Sequence, residues 1–189
     1  MPKNPAISIA LAQCNPTVGD IDYNVQLIRD ERTAAAKQGA HVVVFPELAV
    51  TGYPPEDMVL RPAFQRRAMR AVQELAGDTK DGGPAMLVGG IWVGDDKQLY
   101  NAIFYLADGD IQTIQSKVDL PNYGVFDEAR VFHTNGTLPK TITINGIRVG
   151  VIICEDTWTP RVARALMQDG AEILISSNAS PYEITKAAV

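Results

Sequence analysis

A cysteine followed by two carboxylates ends an apolar, β-branched run in this sequence. The run is Val149–Ile153, and Cys154 and Glu155-Asp156 follow it directly. Asn145-Gly146, ahead of the run, is typical of a tight hairpin turn, so Cys154 is expected at the end of a strand. Thiolate chemistry is therefore the first possibility to consider at this position.

The residues after Cys154 predict a turn into a helix. Thr159 fits an N-cap and Pro160 the first helical position ahead of a helix over Arg161–Gln168. A helix N-terminus and free backbone N–H groups near a sulfur favour a thiolate and any oxyanion formed beside it. The same pattern also fits a structural cysteine, because free cysteine is among the most buried residue types.

Polar residues also follow two other apolar strands. Glu47 comes after Val42–Phe45, and Lys117 comes after Ile111–Ser116. A thiolate that attacks a carbonyl needs a base and a positive group, and these three side chains supply them if the strand ends share one rim. Taken singly, a Glu or Lys at a strand end is usually solvated.

Neither histidine is favoured as the base. His41 begins a predicted strand at the end opposite to Glu47, and His133 lies in an irregular stretch.

The remaining pattern alternates helices with apolar strands and includes two hairpins. We therefore expect mixed sheets whose outer faces are covered by helices. The predicted elements are strand Ile7–Gln13, helix Tyr23–Lys37 capped by Asp22, strand Val42–Phe45, helix Pro62–Leu75, strand Met86–Val93, hairpin Asn101–Leu106 with Ile111–Lys117, irregular Leu120–Gly136, hairpin Thr141–Ile144 with Ile147–Ile153, helix Arg161–Gln168 and strand Glu172–Ser176.

Composition bounds the class of protein. The 189 residues, 46% of them apolar, suit one domain over residues 1–189, and the net charge of −5 argues against a nucleic-acid or membrane partner. Two cysteines and two histidines without close spacing make a structural zinc site improbable, and Cys14 is expected in the core. With neither a signal peptide nor a long apolar span, a cytoplasmic location is predicted.

The last residues predict a helix that begins close to the end of the sequence. Ser180 and Glu183 have the spacing of a capping box, with Pro181 at the first helical position, yet six residues follow. Such a helix is marginal alone, so we expect a C-terminally truncated domain.

Three short motifs resemble those of a known superfamily. FPEL at 45–48, Lys117 with LPNY at 120–123, and CED at 154–156 are similar to the Glu, Lys and Cys motifs of the nitrilase, or carbon–nitrogen hydrolase, superfamily. Longer segments resemble the glutaminase domains of glutamine-dependent NAD+ synthetases, and these segments are 48–57, 120–132, 154–158 and 178–182.

The resemblance implies a nitrilase-type αββα sandwich that hydrolyses glutamine to glutamate and ammonia. Its roles fall on Cys154 as nucleophile, Glu47 as general base and Lys117 as oxyanion stabiliser. Glu128 matches a second glutamate that supports the lysine, although a loop-surface acid fits the sequence equally well. The residues implied to line a glutamine pocket are Tyr53, Tyr123, Glu155 and Ser180.

The resemblance also implies partners. Ammonia would pass to an ATP-dependent synthetase domain of the same parent chain, so ATP and Mg are expected there and no cofactor in residues 1–189, where no glycine-rich phosphate loop follows a strand. Homo-oligomers are common in the superfamily and are expected here. A stand-alone nitrilase-type amidase and a non-catalytic module of the same fold are the alternatives.

Overall fold

Two mixed sheets lie at the centre of the structure, a computed structural model that describes residues 6–181 and residue 184. The helices are α1 (Ile21–Lys37), α2 (Pro62–Asp78) and α3 (Pro160–Gln168). The strands are β1 (Ile9–Leu11), β2 (Val42–Val44), β3 (Ala85–Val93), β4 (Leu99–Ala107), β5 (Asp110–Ser116), β6 (Ile142–Ile144), β7 (Ile147–Ile153) and β8 (Ile173–Ser177). In the described ranges, none of the helices has the length and apolar character needed to span a membrane.

The larger sheet has the strand order β1-β2-β3-β4-β5, and the smaller one has the order β6-β7-β8. Strands β1, β2 and β3 pair in parallel, whereas β4 pairs antiparallel with both β3 and β5. In the smaller sheet β6 and β7 form the predicted hairpin, and β8 pairs in parallel with β7. Strand β2 and residues Val149–Ile153 of β7 are buried without alternation because they are covered on both faces, whereas β8 alternates between buried and more exposed positions.

Alternate residues of β2 show how the layers stack. Val43 packs in the core that α1 and α2 form with the larger sheet, whereas Val42 and Val44 pack against residues of the smaller sheet such as Val151. Helix α3 covers the outer face of the smaller sheet through Leu166 and its neighbours. The order of layers is therefore helix, sheet, sheet, helix, and the predicted αββα sandwich is confirmed.

One predicted helix cap is wrong, and the other is confirmed in its position but not in its hydrogen bond. The carboxylate of Asp20, rather than Asp22, accepts the backbone N–H of Tyr23 at the start of α1. Thr159 occupies the N-cap position of α3, but its hydroxyl donates to Asp119 instead of capping the helix. Strand β1 is also shorter than predicted, and Tyr182 and Glu183 of the predicted capping box lie outside the described residues.

Gly89 on β3 permits the turn that carries Glu47 to lie directly against the sheet. The N–H of Val50 donates to the carbonyl of Gly89 at 3.1 Å, and Leu48 in the turn has a φ of 51°. A Cβ at position 89 would lie 2.4 Å from both the nitrogen of Leu48 and the oxygen of Pro46. The missing side chain thus fixes the distance between β3 and the backbone of Glu47.

We expect Gly89→Ala to lower the free energy of unfolding by about 1–3 kcal/mol, because backbone atoms must move to admit the methyl group. Urea denaturation followed by circular dichroism measures the change.

Gly77→Ala is the matched control, because a Cβ there meets nothing within 4 Å and the residue lies in α2. This variant should gain about 0.5–1 kcal/mol, since alanine is the better helix former. Equal stability of the two variants would show that the turn does not depend on Gly89.

Candidate active site

Glu47 is held at the carboxyl end of β2 with its side chain inside the protein. The residue is 2% exposed. Its Oε1 accepts hydrogen bonds from Lys117 Nζ at 2.6 Å and from Asn101 Nδ2 at 2.8 Å. Burial raises the pKa of Glu47 above its usual value, Lys117 opposes that effect, and the neighbouring Glu128 adds to it. The carboxylate is therefore a stronger base than an exposed glutamate.

Lys117 follows β5, and its ammonium lies between two carboxylates. Nζ is 2.6 Å from Glu47 Oε1 and 2.8 Å from Glu128 Oε1, and Lys117 is 1% exposed. Burial alone would lower the pKa of Lys117, but the two glutamates outweigh it and the net shift is upward. The lysine thus remains a cation inside the protein, and Glu128 is a buried partner of it rather than a loop-surface acid.

Arg130 ties together the two loops that bring Tyr53 and Glu128 to this cluster. Its guanidinium forms ion pairs with Glu56, at 3.1 Å, and with Asp57, both in the loop that follows Tyr53. It also forms an ion pair with Asp127, which precedes Glu128. These ion pairs are partly exposed, so they contribute little to the free energy of unfolding and mainly hold the two loops in place.

Asn101 is a member of the cluster that the sequence analysis missed. Its Nδ2 bridges Glu47 and Glu128, at 2.8 Å to the first and 3.2 Å to the second, and its carbonyl accepts the backbone N–H of Lys117 at 2.8 Å. The signal was present, because Asn101 is the one amide in the otherwise apolar and aromatic run LYNAIFYL of β4. A buried amide in such a strand needs polar partners, and these carboxylates provide them for Nδ2, whereas Oδ1 has no partner among the described residues.

The second oxygen of Glu47 is left over from these contacts. Within the described part of the chain, Oε2 is buried and has no hydrogen-bond partner, although Oε1 has two. A buried acceptor without a partner is costly, and such atoms concentrate where a ligand or a proton is to be received.

Cys154 follows β7 and begins a 3₁₀ turn over Cys154–Thr157. Its φ of 40° is in the left-handed region, which costs a residue with a side chain roughly 1 kcal/mol or more. Burial, followed by the charge of Glu47, raises the pKa of the thiol to about 11, and Lys117 and the hydroxyl of Ser180 only partly oppose this. The predicted thiolate is therefore not the resting form, and the sulfur must lose its proton during a reaction.

The three side chains come from both sheets. Glu47 and Lys117 extend the larger sheet, whereas Cys154 extends the smaller one. Glu47 and Lys117 are in direct contact, and the charges of both act on the Cys154 thiol. The carboxylate, the amine and the sulfur thus gather at one place between the two sheets.

The residues implied to bind substrate fall into two groups. Tyr53 and Ser180 line a cavity of about 820 Å³ that also includes Glu47, and the Ser180 hydroxyl is 4.0 Å from the Cys154 sulfur. Tyr53 donates its hydroxyl to Glu128 at 2.9 Å, so it is open to a ligand only as an acceptor.

Tyr123 and Glu155 form a pair of their own, with the tyrosine hydroxyl 2.9 Å from the nearer carboxylate oxygen. This hydrogen bond raises the pKa of Tyr123. In residues 6–181 and 184, no group of three or more His, Cys, Asp or Glu side chains is arranged to hold a metal ion.

Fold and site together define a two-sheet α/β protein with a buried thiol beside an ammonium and two carboxylates. The Carbon-nitrogen hydrolase family model matches residues 8–188, so the chain belongs to that family. It is 38% identical over 182 residues to the glutamine-dependent NAD(+) synthetase of Thermotoga maritima. The matched region is 95% of this chain and 31% of the relative. The Rhodobacter capsulatus enzyme of the same name is 42% identical over 174 residues, or 92% of this chain and 31% of the relative. The chain thus spans about a third of the length of the curated relatives it matches.

Solved structures agree on the fold. A glutamine-dependent NAD+ synthetase from Acinetobacter baumannii, in complex with ADP, has a TM-score of 0.89 at 37% identity and covers 95% of this chain and 34% of that one. An amidase from Nesterenkonia sp. AN1 has a TM-score of 0.83 at 23% identity and covers 99% of this chain and 70% of that one. The second likeness concerns the sandwich alone.

We expect Lys117→Met to lower the free energy of unfolding by about 3–5 kcal/mol at neutral pH, because it leaves two buried carboxylates without their cation. The pKa of Glu47 is raised in the folded protein and must rise further without Lys117. An acid whose pKa is higher in the folded state destabilises the fold above that pKa, so the loss should shrink as the pH falls. Urea unfolding at about pH 8 and about pH 5 tests both the size and the sign.

Lys140→Met is the matched control, because the Lys140 side chain is 81% exposed where it pairs with Asp169. Its effect should stay below about 1 kcal/mol. A loss at Lys117 that grows toward acid pH would contradict the assigned ion cluster.

Proposed function

We propose that this chain is a glutamine amidohydrolase, which cleaves the side-chain amide of glutamine through a thioester on Cys154. The observation that carries the proposal is the free Oε2 of Glu47, held in a buried cluster with Lys117 beside a protonated thiol. A base, a cation and a nucleophile are the groups that acyl transfer requires. The relatives that match nearly all of this chain are named for their use of glutamine.

In the first half of the proposed reaction, Glu47 Oε2 accepts the thiol proton while the sulfur attacks the amide carbon. The pKa of the thiol, about 11, means that the sulfur carries its proton at neutral pH, so proton transfer accompanies the attack rather than preceding it. The negative charge that develops on the amide oxygen is stabilised by Lys117 Nζ and by the backbone N–H of Glu155. Glu47 then gives its proton to the nitrogen, and ammonia leaves the γ-glutamyl thioester.

In the second half, water replaces the thiol as the proton donor. Glu47 takes a proton from the water as the water oxygen attacks the thioester carbon, and Lys117 again stabilises the oxyanion. The carbon–sulfur bond breaks, Cys154 recovers the proton, and glutamate is released. The raised pKa of Glu47 suits a group that both accepts and returns a proton.

Besides stabilising the oxyanion, Lys117 orients the carboxylate of Glu47. Its ammonium occupies Glu47 Oε1, so only Oε2 remains for the thiol or the water. Glu128 and Asn101 hold the other side of the cluster and prevent the lysine from turning away. We propose that Glu128 acts in this way on Lys117, without contacting the reacting atoms.

The substrate is proposed to enter the cavity that Glu47, Tyr53 and Ser180 line. Its volume, about 820 Å³, is within the range of small-molecule sites. Ser180 and Tyr53 offer hydrogen bonds near the thiol, and the carboxylate of Glu155, held by Tyr123, suits the α-ammonium of glutamine.

For the whole protein we propose that the ammonia is used by a synthetase domain that forms NAD+, the product in the names of the relatives, by amidating nicotinic acid adenine dinucleotide. ATP and Mg would serve that domain. A stand-alone amidase of the same fold would instead release ammonia from a small amide without forming NAD+.

We expect Cys154→Ala in the full-length protein to abolish glutamine-dependent NAD+ formation and to leave the ammonia-dependent reaction intact. The nucleophile is lost, but supplied ammonia needs no hydrolysis. Initial rates with each nitrogen source measure the two reactions. Survival of the glutamine-dependent rate would refute the role of Cys154, and loss of both rates would refute separate use of ammonia.

Cys14→Ala is the matched control, because Cys14 is the other thiol of the chain, is half-buried and lines the same cavity, so a reagent in the cavity can reach it as well. It should behave as the wild type in both reactions. In addition, a glutamine-like chloroketone should label Cys154 and spare Cys14 when peptides are mapped by mass, and labelling of Cys14 alone would contradict the proposal.

We expect Asn101→Leu to move the acid limb of the pH profile of kcat/KM to higher pH. The hydrogen bond from Asn101 lowers the pKa of Glu47, so the base form of Glu47 needs a higher pH once that bond is gone. Initial rates of glutamine hydrolysis across the pH range measure the limb.

Asn24→Leu is the control, because Asn24 is also a fully buried amide but binds the backbone of Thr17 and Val50. It should lose stability without moving the limb. A limb that stays in place in the folded Asn101 variant would show that the base is not Glu47.

A further inference from the structure

Asp156 is a fully buried carboxylate that the proposed reaction does not use. It is 0% exposed and lies two residues after Cys154, in the same 3₁₀ turn. Its Oδ1 accepts the backbone N–H of Val118 at 3.1 Å and that of Asp119 at 2.6 Å. These are the two residues that follow Lys117.

The contact joins the two sheets at the place where their chemistry meets. Lys117 leaves β5 of the larger sheet and Cys154 leaves β7 of the smaller sheet, so no strand ladder relates one to the other. The carboxylate of Asp156, two residues after Cys154, accepts hydrogen bonds from the backbone N–H groups of the two residues after Lys117. Together with the bond from Gln115 to the carbonyl of Val151, these hydrogen bonds link the segment that carries Lys117 to the segment that carries Cys154.

A buried charge in this position needs a reason. Burial raises the pKa of Asp156 to about 6, although both backbone N–H groups oppose the shift. A neutral side chain of similar size would avoid this desolvation, yet it would not accept two consecutive N–H groups as well. Lys117 is also held by Asn101, whose carbonyl accepts its N–H at 2.8 Å, so the backbone is fixed from both sides.

We propose that Asp156 is a positioning residue, which holds the backbone of Lys117 so that the ammonium faces the oxyanion formed at Cys154. This inference rests on the proposed glutamine hydrolysis and adds to it a residue that acts through Lys117. Asp156 touches neither the substrate nor the reacting atoms. Its removal should therefore affect the transition state more than the binding of glutamine.

Three variants in the full-length protein test the proposal. Asp156→Ala removes the acceptor, and Asp156→Glu keeps the carboxylate but displaces the Lys117 backbone. Each should lower kcat for glutamine hydrolysis about 100-fold and change KM less than about threefold, since small misplacements act on the transition state. Asp156→Asn keeps one acceptor oxygen and should restore kcat to within about tenfold of the wild type.

Alkylation of Cys154 by iodoacetamide separates positioning from general damage. Alkylation forms no oxyanion and depends on Lys117 only through the pKa of the thiol, so its rate should fall at most about tenfold in the Ala and Glu variants, less than kcat does. Equal losses in alkylation and in kcat would show that Asp156 only maintains the nucleophile turn, and would overturn the proposal. If Asp156→Ala does not fold, Asp156→Glu decides, and an unchanged kcat in that folded variant also overturns it.

Asp119→Asn is the matched control. The Asp119 side chain forms an ion pair with Arg161 at 2.5 Å at the surface of the same loop. The substitution should therefore leave kcat unchanged. The wild-type rate separates the two proposals. If the wild type does not hydrolyse glutamine, the proposed function fails, whereas a wild-type rate retained in Asp156→Ala means that only the positioning role fails.

Discussion

The buried ammonium of Lys117 is the constraint on which the rest of the site depends. An isolated cation in the interior is prohibitively unfavourable, so the fold must bring carboxylates to it. Glu47 and Glu128 do so from two loops far apart along the chain, and Asn101 fills the remaining gap between them. The loops around β2 and after β5 therefore have their positions set by one charge, and the free oxygen of Glu47 is a result of the same arrangement.

Hydrogen bonds between the two sheets hold this cluster in a fixed position relative to the Cys154 sulfur, which belongs to the other sheet. Ser177 on β8 donates to the carbonyl of Phe45 at 2.8 Å, and Gln115 on β5 donates to the carbonyl of Val151 on β7. Apolar packing between sheets is tolerant of small sliding motions, whereas hydrogen bonds with fixed partners are not. The polar bonds between the two layers thus convert a hydrophobic sandwich into a defined geometry at its rim.

Much of the fold was predictable because its signals are local. Asn145-Gly146 and Asp108-Gly109 marked the two predicted hairpins, and unbroken apolar runs marked the buried strands, whereas the antiparallel pairing of β3 with β4 was not predicted. Helix caps were less predictable, since Asp20 and Asp22 are equivalent by composition and only the backbone path selects one. The state of the Cys154 thiol was mispredicted because the sequence shows that a lysine exists but not how deeply the sulfur is buried. Asn101 carried a signal as the one amide in an apolar strand, but its partners, like those of Asp156, are visible only in the tertiary structure.

The left-handed backbone at Cys154 has a consequence for the choice of an inert variant. Glycine is the residue that adopts a φ of 40° without steric cost, so Cys154→Gly would relieve the main chain as well as remove the sulfur. Alanine keeps the Cβ and therefore keeps the strained backbone, so an alanine at this position isolates the loss of the sulfur from any relaxation of the turn.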